Sequence, residues 1–227
     1  MKPLVIAHRG ASSSELENTL AAFRAAVAQR ADGVELDVHA TLDGEIVVHH
    51  DPSIMGLPIA QARMRDLAEL RLPNGEPLPT LAQALEASGM LRVFVEVKVL
   101  DPRWDARLLE ILDAGPNPPG YAVHSFAFHV VRRLRKRRPD LQTGVLSEVE
   151  TRDPQRTLVD AGAQTLWQER STLDEPLVQQ VHAIGAAIIA WTVDNPSDME
   201  RLTTIEVDGI CTNYPERARR IVDGRAA

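Results

Sequence analysis

Cysteine is almost missing from this chain: there is one, Cys211, in 227 residues. A lone thiol excludes an intrachain disulfide framework, and no Cys-x-x-Cys pair is present to hold zinc through thiolates. No apolar run approaches the ~20 residues that a membrane-spanning helix needs, so no transmembrane segment is expected. Positive charge is also short. With 25 Lys and Arg against 32 Asp and Glu, the net charge of −7 argues against a nucleic-acid partner. Linker-like composition shifts and usable internal repeats are lacking as well. What remains is ordinary for a globular chain, 44% hydrophobic and 25% charged. Barrels run to ~250 residues as one unit, so a single domain over residues 1–227 is expected. The first residues, Met1-Lys2-Pro3-Leu4, enter a strand pattern at once and lack the longer apolar stretch of a secretory signal. The expected compartment is cytoplasmic.

Short apolar runs alternate with amphipathic stretches throughout. The runs predict strands at Leu4–His8, Gly33–Val38, Val93–Lys98, Tyr121–Phe126, Gln142–Ser147, Gln164–Gln168, Ala187–Trp191 and Asp208–Cys211. Helical patterns fall between them at Thr19–Arg30, Leu81–Ala87, Trp104–Asp113, Ala127–Arg138 and Asp198–Leu202. Ser197 is placed to cap the last of these, and Gly115 follows the end of Trp104–Asp113. Strand, helix and strand at this spacing mean βα units and a parallel sheet; eight such strands predict a (β/α)8 TIM barrel. One segment breaks the alternation. Glu45-Ile46-Val47-Val48-His49-His50 is strand-like but separated from strand two only by Asp43-Gly44, a hairpin signal. Pairing Leu42 with Glu45 would bring His50 opposite Asp37, on a β-hairpin extension after strand 2.

Period-two alternation puts Glu35 and Asp37 on one face of strand two, with Val34, Leu36 and Val38 on the other. Strand three places Phe94, Glu96 and Lys98 together in the same way, and strand one contributes His8. Three carboxylates converging in a barrel mouth would raise one another's pKa unless a cation neutralised them. Oxygen ligands without thiolates suit a hard divalent ion, Mg²⁺ or Ca²⁺. His8 and His50 can exchange protons near neutrality, while Arg9 and Lys98 offer positive charge to a phosphate oxyanion. His39 shares the face of Glu35 and Asp37 but sits further along and is read as structural or solvated; alternation turns His49 away from His50. The basic run Arg132–Arg138 is read as the solvated face of a helix whose Val130, Val131 and Leu134 pack inward. Cys211 is read as a small core residue.

His8-Arg9-Gly10, Glu17-Asn18-Thr19, Gly33-Val34-Glu35-Leu36-Asp37-Val38, Thr41-Leu42-Asp43-Gly44 and His50-Asp51 together resemble the glycerophosphodiester phosphodiesterase family. So do Pro79-Thr80-Leu81, Val95-Glu96-Val97-Lys98, Ser125-Phe126, Trp191-Thr192-Val193-Asp194 and Asp208-Gly209-Ile210, in the same order. The resemblance implies a barrel hydrolase that splits glycerophosphodiesters, its small-molecule substrate, into glycerol 3-phosphate and an alcohol. It implies Glu35, Asp37 and Glu96 as metal ligands and His8 and His50 as the acid–base pair. Arg9 and Lys98 would hold phosphate, and Trp191 would pack on the substrate's carbon skeleton. Attack by water or by the glycerol 2-hydroxyl is compatible with it, and so is either assignment of the two histidines. The family's Thr-Asp pair appears here as Thr212-Asn213, and the segment Pro52–Leu78 is short and lacks an Arg-Thr-Thr-like stretch. A lysophospholipase D-like activity on the same scaffold and a non-catalytic barrel that binds phosphate compounds are the rival readings.

Overall fold

The computed structural model describes residues 2–224; Met1 and the last three residues lie outside it. Eight parallel strands close on themselves. They are β1 (Leu4–His8), β2 (Gly33–Ala40), β3 (Arg92–Val99), β4 (Tyr121–Ser125), β5 (Gln142–Ser147), β6 (Thr165–Glu169), β7 (Ala187–Trp191) and β8 (Gly209–Thr212). Each pairs with the next, and β8 returns to β1 with Val5 opposite Ile210. This is the predicted barrel, with strand ends displaced by no more than two residues.

Two apolar layers explain why the strands form. Outward-facing Val34, Leu36, Val38, Val93, Val95 and Val97 pack against Phe23, Leu81, Leu85 and Leu108 of the surrounding helices. Inward-facing Ile6, Phe94, Leu146, Trp167, Ile189 and Cys211 fill the barrel itself. Each such aliphatic side chain contributes roughly 1.5–3 kcal/mol on burial, before the entropy of ordering it is set against that gain. The titratable side chains therefore have one exit, the C-terminal mouth of the barrel.

Helices cover the outside. Thr19 caps Leu20–Ala28 by accepting from Ala22 N–H, and Thr80 with Gln83 forms a reciprocal capping box on Leu81–Ser88. The basic run lies on Phe128–Arg137, which buries Val130, Val131 and Leu134 as expected. Three helices escape the sequence pattern: Pro154–Ala161, Glu175–Ala183 and Pro215–Val222. Each carries proline in its first turn, where the missing N–H costs nothing, so a residue that reads as a breaker is here a start signal. The helix expected at Asp198 likewise begins at Pro196, and its cap is Asn195 rather than Ser197; Asn195 Oδ1 accepts from Ser197 N–H at 3.0 Å.

The hairpin after β2 exists, but its register differs from the sequence expectation. The returning arm Ile46–Val48 pairs Val48 with Val38 and Ile46 with Ala40. Thr41 N–H donates to Glu45 C=O at 2.9 Å and His49 N–H to Asp37 C=O at 3.0 Å. His49, not His50, therefore stands opposite Asp37. The reason is a three-residue loop, Leu42-Asp43-Gly44, closed by Gly44 at φ +84° in place of a two-residue turn. A Cβ at Gly44 would also lie 2.3 Å from the Trp104 indole. Pairing ends at Val48, so alternation no longer dictates where His50 points. Beyond it, the segment up to Leu78 builds a small apolar cluster of its own from Ile54, Ile59, Leu67, Leu72 and Leu78 against Val47.

Candidate active site

Strand register gathers the chemistry. His8 is opposite Glu35, Asp37 opposite Glu96, and Glu96 opposite His124. Glu35, Asp37, Glu96 and His124 are all buried. Directly after β1, Arg9 takes a positive φ of 54° and turns the chain so that its N–H donates to Glu35 Oε2 at 3.1 Å. Gly10, at φ +83°, lies so close to the first helix that a Cβ would be 2.6 Å from Ala22 Cβ. Only glycine fits there.

Asp37 sits in a cage of donors. Asn18 Nδ2 donates to it at 2.8 Å, Arg9 Nε lies at 3.1 Å and Lys98 Nζ at 2.9 Å. Lys98 also reaches Glu96 Oε1 at 2.7 Å, and Arg9 Nη1 donates to Glu17 at 2.9 Å. Burial opposes charge on Asp37, but the Lys98 ammonium and Arg9 guanidinium outweigh it and hold that carboxyl below its usual pKa. Glu96 goes the other way: burial, with Asp37 nearby, pushes it up to about 7 despite Lys98. Burial together with the Asp37 and Glu96 charges raises Glu35 well above the usual carboxylate range. The environment asks for more positive charge than the protein provides.

His8 has a defined tautomer. Its Nδ1 lies 2.8 Å from Asn213 Oδ1, which also accepts from Ser12 Oγ at 2.7 Å. Asn213 Nδ2 donates to Asp194 Oδ2 at 2.7 Å, so the amide oxygen must face His8. The proton of neutral His8 is then on Nδ1, and Nε2, 4.0 Å from Glu35 Oε2, is the free base. Burial, aided by the Arg9 charge, lowers the His8 pKa and keeps the ring neutral. His50 is different: it is half-exposed, and its Nδ1 lies 2.9 Å from Asp51 Oδ1. His39 Nε2 meets the His50 carbonyl at 3.1 Å, a structural role for His39.

A cavity of about 150 Å³ opens at the barrel mouth. His8, Arg9, Glu35, His50, Glu96, Lys98 and Trp191, seven of the eight residues singled out in the sequence, line it. Asp37 is not among the lining residues and stays in its cage below. Phe126 and Leu146 supply an apolar wall, and Phe126 meets Trp191 edge to face at 5.6 Å between ring centres. Sequence reasoning missed His124, although the alternation used for β2 and β3 gives the signal: on β4 it puts Ala122, His124 and Phe126 on one face. It also missed the Asp194–Asn213 support of His8, which depends on contacts between β1 and the segments after β7 and β8.

One ligand atom from each of Glu35, Glu96 and His124 lies within 4.8 Å of the others. Burial lowers the His124 pKa to about 3, so the ring is neutral and able to donate a lone pair. Neither of its ring nitrogens has a hydrogen-bond partner. Two buried carboxylates short of positive charge, beside an unpartnered imidazole, fit a divalent cation. No helix among the described residues is long and apolar enough to cross a membrane.

Comparison with known proteins agrees with this geometry. Residues 8–217 match the model of the glycerophosphoryl diester phosphodiesterase family. A glycerophosphodiester phosphodiesterase of Caldanaerobacter subterraneus subsp. tengcongensis is 33% identical over 239 residues, covering 98% of each chain. A probable glycerophosphodiester phosphodiesterase 1 of Mycobacterium tuberculosis is 31% identical, over 99% of this chain and 94% of its own. Among solved structures, a glycerophosphodiester phosphodiesterase from Parabacteroides distasonis superposes with a TM-score of 0.89 at 28% identity, covering 100% of this chain and 99% of its own. An Oleispira antarctica phosphodiesterase, solved with its product sn-glycerol-3-phosphate, shares the fold with a TM-score of 0.90 at 24% identity, over 97% of each chain.

Proposed function

The chain belongs to the glycerophosphoryl diester phosphodiesterase family and is an enzyme of it, and from that premise we propose how it works. It hydrolyses glycerophosphodiesters to glycerol 3-phosphate and an alcohol, using a divalent cation and the histidine pair His8 and His50. The observation that carries the reading is that both histidines line the cavity that also exposes Glu35 and Glu96. Binding alone needs no such pair, which speaks against a silent phosphate-binding barrel.

Glu35 and Glu96, with His124 beside them, would hold the cation, and Asp37 completes the acidic cluster from its place under Lys98. A cation held there would supply Lewis-acid polarisation of the phosphate. His8, with its proton fixed on Nδ1 by Asn213, takes the proton of the attacking hydroxyl or water at Nε2. His50, when doubly protonated and with Nδ1–H held by Asp51, gives its Nε2 proton to the departing alkoxide and becomes neutral. As the nucleophile's P–O bond forms and the leaving alcohol's P–O bond breaks, one proton enters through His8 and one leaves through His50. Arg9 and Lys98, already within the cavity wall, draw the anionic phosphate in.

A second reading has its own observation. Phe126 and Val149, at the mouth beyond β4 and β5, are 42% and 71% exposed, an apolar border able to receive a lipid tail. Assays with glycerophosphocholine, glycerophosphoethanolamine and a lysophospholipid, each after EDTA and after cation add-back, test both. Release of glycerol 3-phosphate that EDTA abolishes and a cation restores is expected. No hydrolysis of any of the three would overturn the proposal, and turnover of the lysophospholipid alone would favour the second reading.

A further inference from the structure

We propose that the cavity selects glycerophosphodiesters whose alcohol carries a positive charge, an ammonium or a quaternary ammonium, and that Glu148 is the residue that selects them. The proposal rests on the reading above that this cavity cleaves glycerophosphodiesters.

Glu148 lines the same cavity as His8, Arg9 and Lys98, but from the far side. It follows β5, which lies four places from β1 in the closed ring of strands, so it stands across the mouth from His8 and Arg9. Its surroundings hold it there without neutralising it. The Val149 carbonyl accepts from Ser147 Oγ and from Gln168 Nε2, each at 2.8 Å. Gln168 is itself buried, and its Oε1 accepts from Thr151 Oγ1 at 2.7 Å. The chain is thus tied on both sides of Glu148. Its neighbour Glu150 has Arg152 at 3.7 Å, whereas Glu148 has no hydrogen bond or ion pair among the described residues.

An unpaired carboxylate is a poor neighbour for an anionic phosphate. Like charges across a partly enclosed cavity repel, so Glu148 opposes the binding of a diester whose alcohol is uncharged. A cationic alcohol turns that repulsion into attraction. The walls beside Glu148 suit the same cation. Phe126 and Trp191, with ring centres 5.6 Å apart, line the cavity with it, and aromatic faces attract ammonium groups, tryptophan most strongly. A zwitterionic diester then lies along the charge gradient of the mouth, its phosphate at Arg9 and Lys98 and its cation at Glu148.

Glycerophosphocholine and glycerophosphoglycerol compare a cationic with a neutral alcohol on the same glycerophosphate. The wild type should favour the choline diester about 10-fold in kcat/KM, the size of one partly exposed ion pair joined to a cation–π contact. That ratio should fall towards one in Glu148→Gln and below one in Glu148→Lys. Added salt should erode it in the wild type. A wild type without the preference, or variants that keep it, would overturn the proposal. So would an equal loss on both diesters, which would put Glu148 on the shared glycerol instead. Calorimetric titration of each diester in EDTA reads the same ratio as dissociation constants, without turnover. A wild type that hydrolyses neither diester would remove the proposed function. The selectivity of Glu148 would then be decided by that binding ratio alone, and equal dissociation constants would overturn it.

Discussion

Asn213 Oδ1 stands 2.8 Å from His8 Nδ1, and its own amide nitrogen is committed to Asp194 at 2.7 Å. That pairing supports the proposed assignment of His8 as the base. An amide held oxygen-first against Nδ1 leaves Nε2 unprotonated and facing the cavity. Asn213→Ala should leave KM near its wild-type value and lower kcat about 10–100-fold, the effect of losing one strong orienting hydrogen bond of about 1.5–3 kcal/mol. Steady-state kinetics on glycerophosphocholine beside a thermal melt separate this from unfolding. A kcat within twofold of wild type would show that Asn213 does not position His8.

The proposed acid–base histidines and their neighbour His49 give a second contrast. His8→Ala and His50→Ala should each lower kcat by ~10²–10⁴, the range for a general acid or base. His49→Ala should cost far less, because His49 is absent from the cavity wall. Its backbone N–H bond to Asp37 C=O survives the substitution. An inactive His49→Ala beside an active His50→Ala would reverse the assignment.

Gly10 makes a prediction about stability and geometry together. It combines φ +83° with a Cβ position 2.6 Å from Ala22 Cβ. Gly10→Ala therefore meets both backbone strain and a clash, and should destabilise the protein by about 2–4 kcal/mol. Because Gly10 follows Arg9, whose N–H holds Glu35, metal affinity should fall as well. Chemical denaturation checks the first effect and cation titration of the folded protein the second.

The barrel and most of the site could be read from the sequence because both rest on local alternation. In Gly33-Val34-Glu35-Leu36-Asp37-Val38 the apolar and acidic faces are written residue by residue, and the structure follows them. The same rule on β4 would have yielded His124, but a lone histidine among apolar neighbours carries little weight until register sets it opposite Glu96. Hairpin register was not legible, since Asp43-Gly44 fits two loop lengths, and the Trp104 indole that lies against Gly44 comes from a segment about sixty residues further on, beyond the reach of local turn signals. The Asp194–Asn213–His8 chain was hidden for another reason: His8 lies 205 residues from Asn213 in sequence and meets it only when β8 closes onto β1.

The raised pKa of Glu96 gives the stability of the metal-free protein a pH-dependent contribution of definite sign. In the unfolded chain this carboxyl titrates near the usual value for glutamate; burial in the folded state pushes it up to about 7. Between those two values the folded protein binds a proton that the unfolded chain has released. The Glu96 contribution to stability therefore falls as pH rises across that window and levels off above it. The loss traceable to Glu96 should be at most about 3 kcal/mol, the opposing effect of Lys98 being already contained in that pKa. Glu96→Gln cannot ionise at this position, so in EDTA its stability should exceed that of the wild type by a margin that grows from pH 5 to pH 8, the contributions of Glu35, His8 and His124 being common to both proteins. Added cation should stabilise the wild type most at the alkaline end, where the carboxylate is charged, and stabilise Glu96→Gln much less. Denaturant unfolding at pH 5, 6.5 and 8, with EDTA or with cation, reads all of these. A difference between wild type and Glu96→Gln in EDTA that does not grow from pH 5 to pH 8 would mean that Lys98 dominates Glu96 and that its carboxylate is already neutralised without a metal.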